Sequence, residues 1–222
     1  MEKLTAKLPF EEATGVKLHS TNTSPYGRKV RILLADKGLA YEQKIKPPSE
    51  YKYDELSALN PGLKIPILED GGRLLFESNL ILSYLLRTYP GKNGPSKPPL
   101  AQEVTRPAHH WEDAMVLSTI DTLLESGVNL RQLGLNGITP EKAPYLGRQQ
   151  ERIQRCLDYL ERHATAEGFI PGVFSVADIA FICAVEWGAW RGLFNWRGRP
   201  TLEALVAFHA PRPSVAGNPY KE

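Results

Sequence analysis

The chain has 222 residues, of which 42% are hydrophobic and 23% charged, a composition typical of folded globular proteins. Its 27 lysines and arginines nearly balance 25 acidic residues, giving a formal net charge of +2. Because the basic residues are dispersed along the chain, the sequence argues against a nucleic-acid partner. This length accommodates one large domain or two of roughly 100 residues each.

The sequence also argues against a secreted or membrane-spanning protein. Residues 1–14 carry three acidic side chains and lack the apolar run of a secretory signal. No segment approaches the roughly 18 consecutive apolar residues of a membrane-spanning helix. Only two cysteines occur, Cys156 and Cys183, without CxxC or metal-ligand spacing. We therefore expect a cytoplasmic protein without disulfides, structural metal or membrane contact.

Proline and glycine cluster most densely between Pro90 and Pro99, where neither a helix nor a strand can persist. This cluster predicts a linker over residues 91–100. It separates a first domain over residues 1–90, including an N-terminal extension over 1–14, from a second domain over 101–222.

The first domain alternates strand-like and helix-like segments. Residues 16–20 predict a strand, and Ser24-Pro25 opens a helix that Gly38 ends. Further strands are predicted over 41–45, 65–69 and 73–76, the last two joined by an Asp-Gly-Gly turn, and a helix capped by Ser78 follows to Tyr89. A right-handed crossover makes the first two strands parallel. The pattern predicts a small α/β layer.

The second domain has helical spacing throughout. Apolar residues recur over 117–128 and over 146–160, which predicts two amphipathic helices. A third helix begins at Ser175-Val-Ala-Asp178, where the serine and aspartate can cap each other's backbone amides, with Phe174 and Ile179 at the positions of a hydrophobic staple. We therefore expect an all-α second domain.

Three segments of the first domain offer chemistry, although each is also ordinary local structure. Ser24-Pro25 is a good helix cap, yet it also places a hydroxyl and free amides at the positive end of a helix dipole. Pro66 can begin an edge strand, but a cis bond there would turn the Ile65 backbone outward. Glu77-Ser78 can begin a helix or hold the ammonium and carboxylate of a ligand.

These segments together resemble the glutathione transferase superfamily, and the resemblance covers nearly the whole chain. The family patterns S/C-P-x-x-x-K/R-V, N-P-x-x-K-V/I-P and E-S match Ser24–Val30, Asn60–Pro66 and Glu77-Ser78. The family's S/T-x-A-D box and closing R-P-S match Ser175–Asp178 and Arg212–Ser214. The small bacterial subgroup with S-P-F/Y-x-R-K is the most similar. The resemblance implies a thioredoxin-like N-terminal domain, an all-helical C-terminal domain and a homodimer.

The resemblance assigns a role to individual positions. Ser24 would face the sulfur of glutathione, with Asn22, Thr21 or Thr23 as alternatives because they crowd the same site. The remaining contacts would be Ile65 and Pro66 for the cysteinyl backbone, Glu77 and Ser78 for the γ-glutamyl end, and Lys64 for the glycyl carboxylate. The family's N-P-x-G-K order is replaced by Asn60-Pro-Gly-Leu-Lys64, so we expect this loop to differ in shape.

The electrophile is expected between the domains, against Tyr26, Trp111, Met115 and residues near Trp187 and Trp190. Aromatic residues at helical spacing are more often part of the core than contacts of a ligand. His109-His110 beside Trp111 has no second ligand cluster to support a metal site, and both cysteines lie within apolar helical stripes and are expected to be inert.

The predicted function is conjugation of the glutathione thiolate to small hydrophobic electrophiles, a detoxification reaction. Because position 24 is serine and not cysteine, it cannot form a mixed disulfide, which argues against glutaredoxin-like reduction. The motifs leave two alternatives open: a binding or interaction protein without catalysis, and an enzyme that uses glutathione as a dehalogenase, lyase, isomerase or peroxidase.

Overall fold

The computed structural model describes residues 15–92, 100–101 and 103–221. The predicted extension over 1–14 and most of the predicted linker lie outside the described residues. Four strands are β1 Lys17–Ser20, β2 Glu42–Ile45, β3 Ile67–Asp70 and β4 Arg73–Phe76. Eight α-helices are described: α1 Pro25–Asp36, α2 Tyr53–Leu59, α3 Ser78–Thr88, α4 His110–Leu135, α5 Pro144–His163, α6 Val176–Trp190, α7 Pro200–His209 and α8 Pro213–Ala216. Short 3-10 turns cover Pro48–Glu50 and Pro107–His109.

The four strands form one sheet in the order β2-β1-β3-β4. The predicted parallel pairing of β1 with β2 is confirmed, and β3 runs antiparallel to both β1 and β4. Leu18 and Leu68 form a pair across β1 and β3, and both are fully buried. Since α1 and α3 pack together and bury their apolar faces in the same core, the first domain is the expected α/β layer.

Two expectations for the first domain need correction. The sequence did not predict α2, which lies between β2 and β3. Ser78 is the first residue of α3 and does not cap it, because the capping position belongs to Glu77, whose side chain makes no capping hydrogen bond.

The second domain is helical, as predicted, and α6 lies at its centre. Residues on every side of α6 are buried, which matches its uniformly apolar sequence. Its start carries the predicted capping box, and the staple residues Phe174 and Ile179 are fully buried. No described helix is long and apolar enough to cross a lipid bilayer.

The two domains are joined along α1, which packs against α6. At the end of α1, the buried Asp36 carboxylate accepts hydrogen bonds from the Arg212 guanidinium at 3.1 Å and the Ser214 hydroxyl at 2.7 Å. The Arg212 guanidinium also lies 4.0 Å from the centroid of the Phe174 ring. Hydrogen bonds from the Arg-Pro-Ser segment therefore connect the second domain to the C-terminal end of α1.

Candidate functional site

The register of the sheet brings the three sequence motifs to one edge. His19 of β1 pairs with Ile67 of β3, which pairs with Phe76 of β4. The loop after β1, the residues before β3 and the residues after β4 therefore lie side by side, in rows about 5 Å apart. These rows contain Ser24, Ile65-Pro66 and Glu77-Ser78.

Ser24 is the N-cap of α1, as predicted, and its Oγ accepts a hydrogen bond from the Gly27 amide at 3.1 Å. Among the described residues, none accepts a hydrogen bond from this hydroxyl. The side chain is partly exposed, and it lies at the positive end of the α1 dipole. Ser24 can therefore donate its hydrogen to an anionic ligand atom without giving up its capping bond.

Gly27 allows the first turn of α1 to lie against the end of β1. A Cβ atom built at Gly27 would lie 1.8 Å from the Ser20 Oγ. The Ser20 side chain is fully buried, and moving its Oγ would break the hydrogen bond that it accepts from Arg31 at 3.3 Å. The sequence does not reveal this requirement, because the clash depends on packing between two elements.

The alternative sulfur contacts are engaged with one another or with β2. The Thr21 and Thr23 hydroxyls lie 3.1 Å apart and share a hydrogen bond, and the Asn22 side-chain oxygen accepts from Gln43 at 3.2 Å. No residue in the described part of the chain accepts a hydrogen bond from the Asn22 amide nitrogen. Of the three alternatives to Ser24, Asn22 is therefore the best able to donate a hydrogen bond to the sulfur.

The Ile65–Pro66 bond is cis, as the sequence pattern indicated. No described residue forms a hydrogen bond with the backbone N–H or carbonyl of Ile65. The preceding loop is fixed by Asn60, whose side chain accepts from Gly62 N and donates to the Lys64 carbonyl, both at 2.8 Å. The Ile65 backbone therefore offers one donor and one acceptor at the edge of the sheet.

Leu63 stands where the family pattern has glycine, and its φ of 54° lies in the left-handed region that favours glycine. The loop thus keeps a left-handed residue despite the different sequence. Lys64 follows and is exposed.

At the start of α3, no side chain caps the first backbone amides of the helix. Glu77 has a φ of 67°, which is rare for a residue other than glycine. Its carboxylate is exposed, and the Ser78 hydroxyl, although Ser78 is only 7% exposed, has no hydrogen-bond partner among the described residues. This helix start therefore presents several unused donors beside one carboxylate.

A buried lysine joins this helix start to the second domain. Lys29 Nζ donates to Asn79 Oδ1 at 2.9 Å and to Asp121 Oδ1 at 3.2 Å, and Asn79 Nδ2 donates to Asp121 Oδ2 at 2.5 Å. The Lys29 ammonium also lies 5.4 Å from the centroid of the Tyr26 ring. Lys29 was not predicted as a site residue, although it interrupts the apolar face formed by Tyr26, Val30 and Leu33.

The structure gathers only part of the predicted electrophile pocket. Tyr26 lies near Asp121 and Glu125 of α4, and burial together with these carboxylates raises its pKa. Trp111 and Met115 are exposed on α4, about 15 Å and 9 Å further along the helix axis than Asp121. No ring contact or hydrogen bond joins either residue to Tyr26 among the described residues.

The other predicted aromatic residues lie near the end of α6. Trp187 is buried, whereas Trp190 lines a cleft of about 340 Å³ beside Arg28 of α1. The Trp190 ring stacks on Tyr220, with centroids 5.3 Å apart. This cleft lies against the first half of α1.

Both cysteines are buried, and burial raises the pKa of Cys183 to about 11 and raises that of Cys156. Neither is therefore a reactive thiolate at neutral pH. In the part of the chain that the structure describes, no group of three or more histidine, cysteine or acidic residues is arranged to hold a metal ion.

Comparisons with known proteins agree with this geometry. The family described as the glutathione S-transferase N-terminal domain matches residues 18–93. The uncharacterized GST-like protein YibF of Escherichia coli is 28% identical over 207 residues, which are 90% of this chain and 96% of that protein.

Several of the similar solved structures have glutathione or a derivative bound. A glutathione S-transferase from Methylobacterium radiotolerans, in complex with glutathione sulfonate, is 27% identical with a TM-score of 0.76, over 94% of this chain and 97% of that chain. A glutathione transferase family member from Pseudomonas fluorescens, with bound glutathione, is 28% identical with a TM-score of 0.74, over 93% and 100% of the chains. The strand order, the open helix starts and these similarities lead to one conclusion: residues 18–93 form a glutathione S-transferase N-terminal domain, in a chain that has the fold of the glutathione-bound transferases.

Proposed function

We propose that this protein is a glutathione transferase that conjugates the thiolate of glutathione to small hydrophobic electrophiles. One observation carries the proposal: the free Ser24 hydroxyl, the unpaired Ile65 backbone and the uncapped start of α3 share one edge of the sheet. Each of the three offers polar groups that the described protein leaves unused.

These groups match the polar ends of glutathione. The Ser78 hydroxyl and the first amides of α3 suit the γ-glutamyl carboxylate, and the exposed Glu77 carboxylate suits the adjacent ammonium. The Ile65 backbone would pair with the cysteinyl residue, and Lys64 would approach the glycyl carboxylate. This arrangement directs the sulfur toward the start of α1 and Ser24.

The energy needed to form a thiolate is within reach of Ser24 and its helix. A thiol with a pKa near 8.5 is only about 3% ionised at pH 7, and lowering that pKa by about two units requires about 2.7 kcal/mol. An exposed helix terminus contributes about 0.3 to 1 kcal/mol, and a hydrogen bond to a charged group about 1.5 to 3 kcal/mol. The two effects together suffice, so no general base is needed.

Binding of glutathione is the first test. Titration of the tryptophan fluorescence with glutathione should give a saturable change below millimolar concentrations. The absence of binding would contradict the enzyme proposal and favour a protein that uses the fold for another interaction. Binding without conjugation of any electrophile would instead favour a non-catalytic binding protein.

Ser24→Ala tests the catalytic role. We expect turnover at neutral pH to fall by about one to two orders of magnitude, because one hydrogen bond to the thiolate is lost. The ultraviolet absorbance of bound glutathione thiolate should shift to higher pH. Ser57→Ala, on α2, serves as the matched control and should change neither quantity. Normal activity in Ser24→Ala together with loss of activity in Asn22→Ala would transfer the role to Asn22.

We also propose that the protein is a cytoplasmic homodimer with a role in detoxification, as the family resemblance implies. The strongly exposed Trp111 and Met115 on α4 are compatible with contact to a second copy. Sedimentation equilibrium at micromolar concentration tests the dimer, and a monomer would contradict it.

A further inference from the structure

Three cationic side chains of α1 are buried, and they differ in their partners. Arg28 donates to the Glu186 carboxylate at 2.5 Å, and Lys29 donates to the Asp121 carboxylate at 3.2 Å. Arg31 is only 3% exposed, and no carboxylate in the described part of the chain forms an ion pair with it. Arg31 therefore carries a buried positive charge that the described protein leaves without a counter-ion.

The Arg31 guanidinium binds the turn that carries Ser24. Side chains of a helix point back toward its N-terminus, so a residue seven positions after Ser24 can reach the residues before it. Arg31 Nη1 donates to the Thr21 carbonyl at 2.7 Å and to the Ser20 Oγ at 3.3 Å. Nη2 donates to the Asn22 carbonyl at 3.5 Å. The Thr21 carbonyl also accepts from Ser24 N at 3.4 Å. The guanidinium thus lies directly behind this turn.

The titratable groups that act most strongly on Arg31 do not neutralise its charge. They are Arg28 on the same helix, Tyr41 before β2, Cys183 of α6 and Tyr220 near the end of the chain. Burial raises the pKa of Tyr41, of Cys183 to about 11, and of Tyr220, so these three are neutral near pH 7. Burial also lowers the pKa of Arg31, but an arginine in a protein stays protonated. The positive charge therefore persists at neutral pH and favours an anion bound in front of the turn.

We propose that Arg31 is a positioning residue for the thiolate of glutathione: it holds the turn that carries Ser24, and its buried positive charge favours the ionised sulfur. This inference rests on the proposed transferase function, in which the sulfur lies at Ser24. In the step concerned, the bound thiol releases its proton to water and no other bond changes. Because Arg31 is buried, salt screens its charge less than that of a surface arginine.

The test measures the pKa of the bound glutathione thiol from its ultraviolet absorbance as a function of pH, at saturating glutathione. Arg31→Gln removes the charge, and we expect the thiol pKa to rise by about one unit, which is about tenfold less thiolate at a pH below the thiol pKa. Arg31→Lys keeps the charge without the fork of donors, so the rise should be about half as large or less. If Arg31→Gln does not fold, Arg31→Met takes its place, because it buries no polar group.

Lys37→Gln is the matched control. Lys37 follows the last residue of α1, is 2% exposed, and donates to the carbonyls of Tyr89 at 2.7 Å and Lys92 at 3.4 Å. Like Arg31, it is a buried cation bonded to backbone carbonyls, but it lies about 20 Å from Ser24 along the helix axis. We expect the loss of Lys37 to destabilise the protein, as the loss of Arg31 does, without changing the thiol pKa.

Each result has a distinct meaning. An unchanged thiol pKa in Arg31→Gln, with glutathione still bound, overturns this inference and leaves the proposed function intact. An equal rise in Lys37→Gln assigns the effect to general destabilisation and also overturns it. Equal rises in Arg31→Gln and Arg31→Lys overturn the role of the charge, since the loss of turn geometry accounts for both. A protein that binds no glutathione overturns the proposed function itself, and this inference with it.

Discussion

Two helices of this protein, α6 and α3, have a serine and an acidic residue at their starts, yet these starts are built differently. At α6, the Asp178 carboxylate accepts hydrogen bonds from Ser175 N at 2.7 Å and Phe169 N at 2.8 Å, while the Ser175 Oγ accepts from Asp178 N. Ser175 and Asp178 are both completely buried. At α3, by contrast, neither Glu77 nor Ser78 makes a capping bond.

The contrast separates a structural helix start from one available to a ligand. The α6 start uses its own side chains to satisfy its amides, and it stabilises the second domain. The α3 start leaves its amides and a hydroxyl unused and holds Glu77 in a backbone conformation that costs about 1 to 3 kcal/mol. A folded protein that tolerates such a cost at its surface commonly uses the site for binding.

The largest expected effect is on the structural start. Asp178→Ala removes the acceptor of two buried backbone amides, and we expect the free energy of unfolding to fall by about 4 kcal/mol. Urea denaturation measures this change. Glu151→Ala, which removes an exposed ion pair with Arg155, is the control and should cost less than about 1 kcal/mol. A loss below that value in Asp178→Ala would contradict the structural role of this start.

The structural start should also respond to pH through a neighbouring histidine. Burial, reinforced by the nearby charge of Arg212, lowers the pKa of His209 to about 4, although Asp36 opposes this shift. Burial raises the pKa of Asp178 to about 6. His209 thus contributes stability above pH 6.5 that is lost as the pH falls toward 4, whereas the Asp178 contribution is full below about pH 4 and lost as the pH rises through 6.

These two dependences nearly cancel, so a variant is needed to separate them. In His209→Gln, stability relative to the unaltered protein should rise by about 3 kcal/mol between pH 7 and pH 4, because the variant no longer has a buried base to protonate. Urea denaturation across this range measures the difference. A difference between the two proteins that does not vary with pH would show that His209 is not buried in its neutral form.

The smallest effect is expected at the open start. Ser78→Ala should leave the free energy of unfolding within about 0.5 kcal/mol, since the hydroxyl has no protein partner among the described residues. The affinity for glutathione should fall about tenfold, the value of one hydrogen bond to a charged group. Calorimetric titration measures the affinity. If Ser78→Ala lowers the free energy of unfolding without lowering the affinity for glutathione, the start of α3 has a structural role like that of α6, and the contrast is wrong.

The sequence allowed the strands, the long helices and the capping box to be predicted, because each depends on residues close together in the chain. The short helix α2 was missed, since only Leu56 of its seven residues is buried and no side chain caps it. The three motifs of the glutathione edge were found through short patterns.

The contacts between motifs could not be found in this way. The bonds from Lys29 to Asn79 and Asp121 span 50 and 92 positions, and only the folded chain brings these residues together. For the same reason the contacts of the predicted pocket residues could not be predicted. Trp111 and Met115 share α4 with Asp121, but they lie on an exposed stretch two to three turns away.

The close approach of Gly27 to Ser20 has a consequence for how related sequences can vary. Because a Cβ at position 27 would overlap the Ser20 Oγ, a larger residue at 27 requires a smaller one at 20. We therefore expect the two positions to covary among relatives, with alanine at 27 found only beside glycine or alanine at 20. The residue types at positions 20 and 27 of each relative would then indicate how closely the first turn of α1 packs against β1.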